Sequence, residues 1–319
     1  MDKRRYLVTG GAGFIGSHIV EALVRRGDTV AVLDDFSTGH RKNLDAATRA
    51  SAAGAPAPEI FEGDLRDAAL VRRAVAGATH VLHQAALPSV PRSVAEPHQS
   101  HEVNASGTLG LLLAAREAGV KRFVYASSSS AYGDVPTLPK IESQPTAPLS
   151  PYAVSKLAGE QYCRIFTPLY GLETVSLRYF NIFGPRQDPQ SQYAAVIPRF
   201  VTAVRDGESP IVYGDGKQSR DFTYIDNAVQ ANLLACDAPA SAAGLAYNVA
   251  CGTSATLLEV LDLVGRILGK PVRPKHEPSR AGDVKHSLAS IDLARRHLGF
   301  EPKIGLEEGL RRTVAAFAG

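Results

Sequence analysis

Cysteine is scarce in this 319-residue chain: Cys163, Cys236 and Cys251 are widely separated and form no CxxC pair. Neither a disulfide framework nor a zinc site is therefore expected. A dominant charge is lacking too. The formal net charge is +3, with no long run of either sign, whereas a protein held to nucleic acid by phosphate contacts carries a basic stripe. A mildly basic surface still suits a small anionic substrate. No apolar stretch approaches the ~20 residues of a membrane span. The chain enters Tyr6-Leu7-Val8 almost at once, which leaves no room for a secretory leader. A soluble cytoplasmic protein with no nucleic-acid or membrane partner is expected. What remains is ordinary globular material, 45% hydrophobic and 21% charged, long enough for two domains or one large one.

Strand-like and helix-like segments alternate over the first 130 residues or so. Short apolar or β-branched runs at 6–9, 29–33, 59–61, 80–83 and 122–126 read as strands. Helical spacing marks 14–26, 67–76, 98–119 and 151–169, and 46–58 reads as a loop or a frayed helix end. Such alternation predicts a parallel sheet covered on both faces. Beyond residue 180, Pro185, Pro189, Pro198 and Pro210 interrupt the pattern and Gly214-Asp215-Gly216 signals a turn. Helical spacing returns at 257–268 and 306–317. The expected fold is α/β: a Rossmann-type doubly wound parallel sheet with a smaller mixed α/β C-terminal substrate domain. Residues 1–180 would form the dinucleotide-binding domain, rejoined by 225–250, and 181–224 with 251–319 the substrate domain.

Gly10-Gly11-Ala12-Gly13-Phe14-Ile15-Gly16 follows the first strand and opens the first helix. Gly10 permits a tight turn, Gly13 lets backbone approach a pyrophosphate, and Gly16 lets helix and strand pack closely, with phosphates at the positive helix end. Asp34 lies 18 residues after Gly16, with Asp35 beside it, at the end of the second strand. An acid there accepts hydrogen bonds from an adenosine ribose and repels a 2′-phosphate, which favours NAD over NADP. Arg41 and Lys42 lie nearby, read either as cations that work against this preference or as a solvated loop. Asp64 ends the third strand, where it can reach the adenine or cap the next helix.

Tyr152 and Lys156 stand four residues apart, on one face of a helix whose start is marked by Pro151. A neighbouring ammonium stabilises phenolate and lowers a tyrosine's pKa from about 10, so Tyr152 is expected to act as a base. Lys156 can also hold the nicotinamide ribose. Ser127-Ser128-Ser129-Ser130 directly follows a strand, and strand ends are where doubly wound sheets bind ligands. A hydroxyl there can bridge a substrate oxygen and the phenol.

With these features the sequence resembles the extended short-chain dehydrogenase/reductase family along essentially its whole length. The motifs are GGAGFIG at 10–16, HQAA at 83–86, YASSSSAYG at 125–133, SPYAVSK at 150–156, LRYFNIFGPRQ at 177–187, SRDFTYIDN at 219–227 and PSRAGDVKHS at 278–287. Within the family it is most similar to nucleotide-sugar 4-epimerases, above all the bacterial UDP-N-acetylglucosamine 4-epimerase group with its HQAAxxSVPRS stretch, here 83–93. The resemblance implies that Tyr152 removes the proton of the sugar 4-hydroxyl while hydride leaves carbon-4 for a tightly kept NAD. The 4-ketose then turns and takes the hydride back on its other face. The family's serine precedes its tyrosine by about 24 residues, which meets Ser128, with Ser129 one residue away.

The cofactor contacts implied are Gly10, Gly13, Phe14, Ile15, Gly16, Asp34, Asp35, Ser37, Thr38, Gly39, Asp64, Leu65, Gln84, Ala85, Ala86, Tyr152, Lys156 and Tyr179. For the substrate they are Ser89, Ser129, Tyr152, Asn181, Val196, Ile197, Tyr213, Arg220, Arg280, Asp283 and Ser287. Of these, Tyr213 would face the uracil, Arg220 and Arg280 would bind the diphosphate, and Asp283 would meet the uridine ribose. No metal is implied. A homodimer is implied by the family's habit of associating through helices corresponding to 98–119 and 151–169, and the apolar run 109–113 is compatible with it.

The family's dehydratases carry an Asp-Glu pair just after the position of Ser128, and its UDP-glucuronate decarboxylases a Glu two residues after it. Ser129 and Ser130 stand there instead. Elimination needs an additional acid and base; epimerisation needs only the tyrosine relay. Ser287 matches a position at the sugar-pocket wall where tyrosine excludes a 2-acetamido group, so UDP-GlcNAc/UDP-GalNAc are expected substrates beside UDP-Glc/UDP-Gal. Ser290 departs from the aspartate common in relatives. The rival readings are a UDP-glucuronate 4-epimerase, for which Arg92 or Arg186 would meet the carboxylate, and a non-catalytic dinucleotide sensor, which would not need Tyr152, Lys156 and Ser128.

Overall fold

Residues 4–49, 56–189, 195–278 and 285–318 are described in the structure, a computed structural model. The strands β1 (Arg5–Thr9), β2 (Thr29–Asp34), β3 (Glu59–Glu62), β4 (His80–His83), β5 (Arg122–Ser128) and β6 (Glu173–Tyr179) lie in one sheet, with Leu245–Val249 at its edge. The spatial order is Leu245–Val249, β6, β5, β4, β1, β2, β3, and every pair is parallel. The chain thus winds outward in both directions from β1. Thr9, the last residue of β1, pairs with Leu33 of β2 and His83 of β4. A crevice opens beyond these strand ends, at the point where strand order reverses.

Parallel strands buried on both faces read as continuous apolar runs, because successive side chains enter opposite cores. Tyr6 and Val8 join one core with Ile19, Val20 and Leu23 of α1 (Phe14–Arg25). Leu7 joins the other with Leu70 and Val71 of α3 (Ala68–Val75). Between them in sequence, α2 (Arg41–Arg49) packs on α1. Arg41 and Lys42 therefore open a helix rather than a loop, and that helix takes in the start of the 46–58 segment.

The expected helix 98–119 is broken into pieces. A short helix α4 (Val90–Ala95), capped by Ser89 Oγ on Arg92 N–H at 3.0 Å, precedes α5 (Pro97–His101). A π turn, Glu102–Ser106, then leads into α6 (Gly107–Glu117). The widened turn places Asn104, whose amide accepts from Leu87 N–H and donates to Ser155 Oγ. The long helix α7 (Pro151–Tyr170) follows. Asp64 is not a helix cap either: Asp67 accepts from Ala69 and Leu70 N–H at the start of α3.

β6 is absent from the strand signals because polar residues interleave its apolar ones. They are buried with partners: Thr174 Oγ1 donates to Cys163 O at 2.6 Å, and Arg178 pairs with Glu160 of α7 at 2.6 Å. Beyond β6 lie α8 (Val196–Asp206), α9 (Ile225–Asp237), α10 (Leu257–Leu268), α11 (Asp292–Leu298) and α12 (Leu306–Ala318). Phe200, Val212, Val260, Val264 and Leu310 of this part share one continuous core with Tyr6, Val8 and α1. Among the described residues no helix is long and apolar enough to cross a membrane.

Candidate active site

The crevice at the sheet's switch point is a cleft of about 550 Å³. Its glycine turn is dictated by close approach. Gly10 holds φ +64°, and a Cβ there would lie 2.7 Å from Ala85 N; at Gly16 it would lie 2.1 Å from Gly10 O. Gly13 is the N-cap of α1, with no side-chain cap and no acid in the first turn. The N–H groups of that turn fit a dinucleotide pyrophosphate.

Asp34 Oδ2 accepts from Ala12 N–H at 2.8 Å and Oδ1 from Phe36 N–H at 2.9 Å, and burial raises its pKa. Each oxygen keeps a second lone pair for a ribose hydroxyl. Asp35 is exposed, with Oδ1 engaged by Ser37 N–H and Oγ. Arg41 is paired with Glu62 and stacked on Phe36. Asp64 pairs with Arg66 at 2.6 Å, which holds its carboxyl below the usual range. All the sequence-derived cofactor residues line the cleft except Gly39. Gly39 packs behind the turn, where a Cβ would lie 2.8 Å from Ala12 C.

Tyr152 and Lys156 reach the same cleft from the first turns of α7. Ser150 Oγ caps that helix on Ala153 N–H at 3.1 Å, with Pro151 at its start. Ser128 neighbours the phenol closely enough to act on it, its Oγ accepting from Ser130 N–H at 3.2 Å and Ser130 Oγ at 2.8 Å, and no carboxylate occurs at 127–131. Of the serine pair, Ser128 is the one that acts on the phenol; Ser129 opens a 3-10 turn. The Lys156 ammonium sits 4.5 Å from the Tyr125 ring centroid. One expectation fails. Burial raises the Tyr152 pKa, and the Ser128 hydrogen bond only opposes this. Burial likewise pushes Lys156 down to about 7. Desolvation dominates both groups.

Tyr179, Gln84 and Asn232 close a ring of hydrogen bonds: Tyr179 O–H to Gln84 Oε1 (3.2 Å), Gln84 Nε2 to Asn232 Oδ1 (3.1 Å), Asn232 Nδ2 to Tyr179 Oη (2.7 Å). Asn232 and Asn104 carried no sequence signal, because their partners are remote along the chain.

The expected substrate residues are only partly gathered. Ser89 lines the cleft, as do Arg92, Gln187, Asp188 and Ala195. Asn181, Arg220 and Ser287 lie together outside that lining. Asn181 Nδ2 donates to Ser287 Oγ at 3.1 Å, and Arg220 Nη1 to the carbonyls of Ser219 and Lys285, both at 3.0 Å. Nearby, Asp221 accepts from backbone N–H groups and Asp226 from Arg312. Tyr213 is half-buried near the Arg199 guanidinium, and Val196 is half-buried at the start of α8. Ile197 is buried in the core at 1% exposure, outside the lining of the cleft. Arg280 and Asp283 lie outside the described residues. Arg186 is tied to Ser17 and Glu21 on α1.

The family model described as NAD dependent epimerase/dehydratase family matches residues 6–250. The chain is 38% identical to a UDP-glucose 4-epimerase of Mycolicibacterium smegmatis over 315 residues, 98% of each chain. Among solved structures it is similar to a UDP-N-acetylglucosamine 4-epimerase from Methanobrevibacter ruminantium in complex with UDP-N-acetylmuramic acid. The TM-score is 0.92 and the identity 41%, covering 100% of this chain and 99% of that one. A Thermus thermophilus UDP-glucose 4-epimerase complexed with NAD matches at TM-score 0.87 and 41% identity, covering 99% of both.

Proposed function

The chain belongs to the NAD dependent epimerase/dehydratase family, and from that premise we propose that it interconverts UDP-GlcNAc and UDP-GalNAc, and also UDP-Glc and UDP-Gal. At the coarser level it is an NAD-dependent UDP-sugar 4-epimerase, an isomerase. The observation that carries the reading is that Tyr152 and Lys156 line the same cleft as the glycine turn and Asp34, with Ser128 near the phenol at the end of β5.

NAD, when bound, supplies a nicotinamide that takes a hydride from the sugar and gives it back. Gly10, Gly13, Gly16, Asp34 and Asp35 would hold its phosphates and adenosine ribose, and Lys156 its other ribose. Tyr152 Oη acts as the phenolate, the form that a charged Lys156 ammonium beside it would favour, and in that form takes the proton of the 4-hydroxyl, while Ser128 Oγ orients that hydroxyl and the phenol. The same groups return the proton once the opposite face of the sugar is presented. With no carboxylate at 127–131, the end of β5 offers no additional acid to expel a 6-hydroxyl.

Ser287, small and hydrogen-bonded to Asn181, supports acceptance of a 2-acetamido group. Against a uronic acid stand the engagement of Arg186 by Glu21 and the presence of Asp188 in the cleft lining; Arg92, which also lines the cleft, pairs with Glu96 at 3.4 Å and donates to Gln99 at 3.0 Å. The proposed form is a cytoplasmic homodimer joined through α6 and α7; three free thiols suit a reducing compartment.

Proton NMR of the NAD-loaded protein with UDP-GlcNAc tests the reading. UDP-GalNAc signals should grow without added reductant, whereas an unchanged sugar 4-proton would reject it. Ser287→Tyr should impair the N-acetyl pair selectively. Equal loss on plain hexoses, or faster turnover of UDP-glucuronate than of either pair, would overturn the substrate assignment.

A further inference from the structure

Asp221 has no part in the chemistry above, yet it is fully buried (0% exposed) and ties together separate parts of the chain. Its Oδ1 accepts from Cys251 N–H at 2.8 Å, and Oδ2 from Gly252 N–H at 3.1 Å and Ala289 N–H at 3.3 Å. Its own N–H donates to Ser287 Oγ at 3.3 Å, and its carbonyl accepts from Asn181 Nδ2 at 3.0 Å. Asn181 Nδ2 reaches the same Ser287 Oγ at 3.1 Å.

Two features show that this arrangement is held rather than merely adopted. Asn181 keeps φ +40°, a region sparsely populated by residues with a side chain. A buried carboxylate is costly unless its lone pairs are used, and here backbone N–H groups from two distant segments use them. Around it, Ser219 N–H bonds Lys285 O and Ser287 N–H bonds Ser219 O, so 285–287 runs beside 219–221.

We propose that Asp221 is a positioning residue for the nucleotide-sugar side of the site. Its carboxylate fixes the 251–252 and 287–289 segments against 219–221, and thereby sets Ser287 Oγ and Asn181 Nδ2 at the sugar wall. The inference rests on the function proposed above.

Calorimetric titration of the NAD-loaded protein with UDP-GlcNAc and with UDP, alongside steady-state kinetics, tests it. In Asp221→Asn an amide replaces one acceptor oxygen by a donor. KM for the UDP-sugar and its Kd should rise about tenfold, with kcat changed less than about threefold and bound NAD unchanged. Ser287→Ala removes the shared acceptor while leaving the carboxylate in place, and should raise KM about threefold. The double variant should be no worse than Asp221→Asn, because both break one network. This second variant carries the test if the first fails to fold. Unchanged KM in both variants, a loss falling on kcat or NAD content, or additive losses in the double variant would overturn the proposal. Wild-type protein that binds neither UDP-GlcNAc nor UDP would instead overturn the function on which it rests.

Discussion

At the scale of single residues, the chemistry depends on how burial treats three neighbours. Tyr152 and Lys156 were legible from their spacing alone, since residues four apart share a helix face. Their ionisation was not, because desolvation depends on what covers them. Burial raises the phenol and pushes the ammonium down to about 7. Tyr152→Phe removes the proton acceptor while keeping the ring, so kcat should fall by at least about 100-fold. NAD content, read from released cofactor, should remain that of the wild type; retained turnover would refute the role. The serine run left Ser128 and Ser129 open, and only the packing of α7 against the end of β5 brought Ser128 near the phenol.

At the scale of elements, the first βα turn was the most legible part of the chain, because each glycine answers a local steric demand. Gly16→Ala would push a methyl into Gly10 O, only 2.1 Å away. This backbone clash should cost at least about 2 kcal/mol of stability, seen as a lower thermal midpoint together with loss of co-purified NAD. A variant with wild-type stability and full NAD content would contradict the packing role given to Gly16. Other elements were hidden by their tertiary partners. β6 looks too polar for a buried strand until Arg178 finds Glu160 and Thr174 finds Cys163 O. The interruption of 98–119 by a π turn follows from Asn104 reaching Leu87 and Ser155, contacts with no counterpart in local sequence.

At the scale of the whole molecule, the sheet and the C-terminal part share one apolar core, so the cleft is walled by elements that fold together. The outer surface bears a different pattern. Val154, Ile165 and Leu169 are exposed along one stripe of α7, and Leu113 is exposed on α6 while Leu111 and Leu112 point inward. Exposed apolar stripes of this kind mark association surfaces. Light scattering should find a dimer, and Val154→Asp combined with Leu169→Asp should give a folded monomer. A monomeric wild type would remove the proposed homodimer.

The sequence by itself determined the alternation of strands and helices, the glycine turn with its acid, and the tyrosine–lysine pair. All of these are written in periodicities or spacings within a few turns of chain. The tertiary structure alone decided which serine meets the phenol, which arginines are already engaged by carboxylates, and how Asp221 collects N–H groups from remote segments. Those outcomes depend on burial and on contacts between residues far apart along the chain, and no local pattern encodes either.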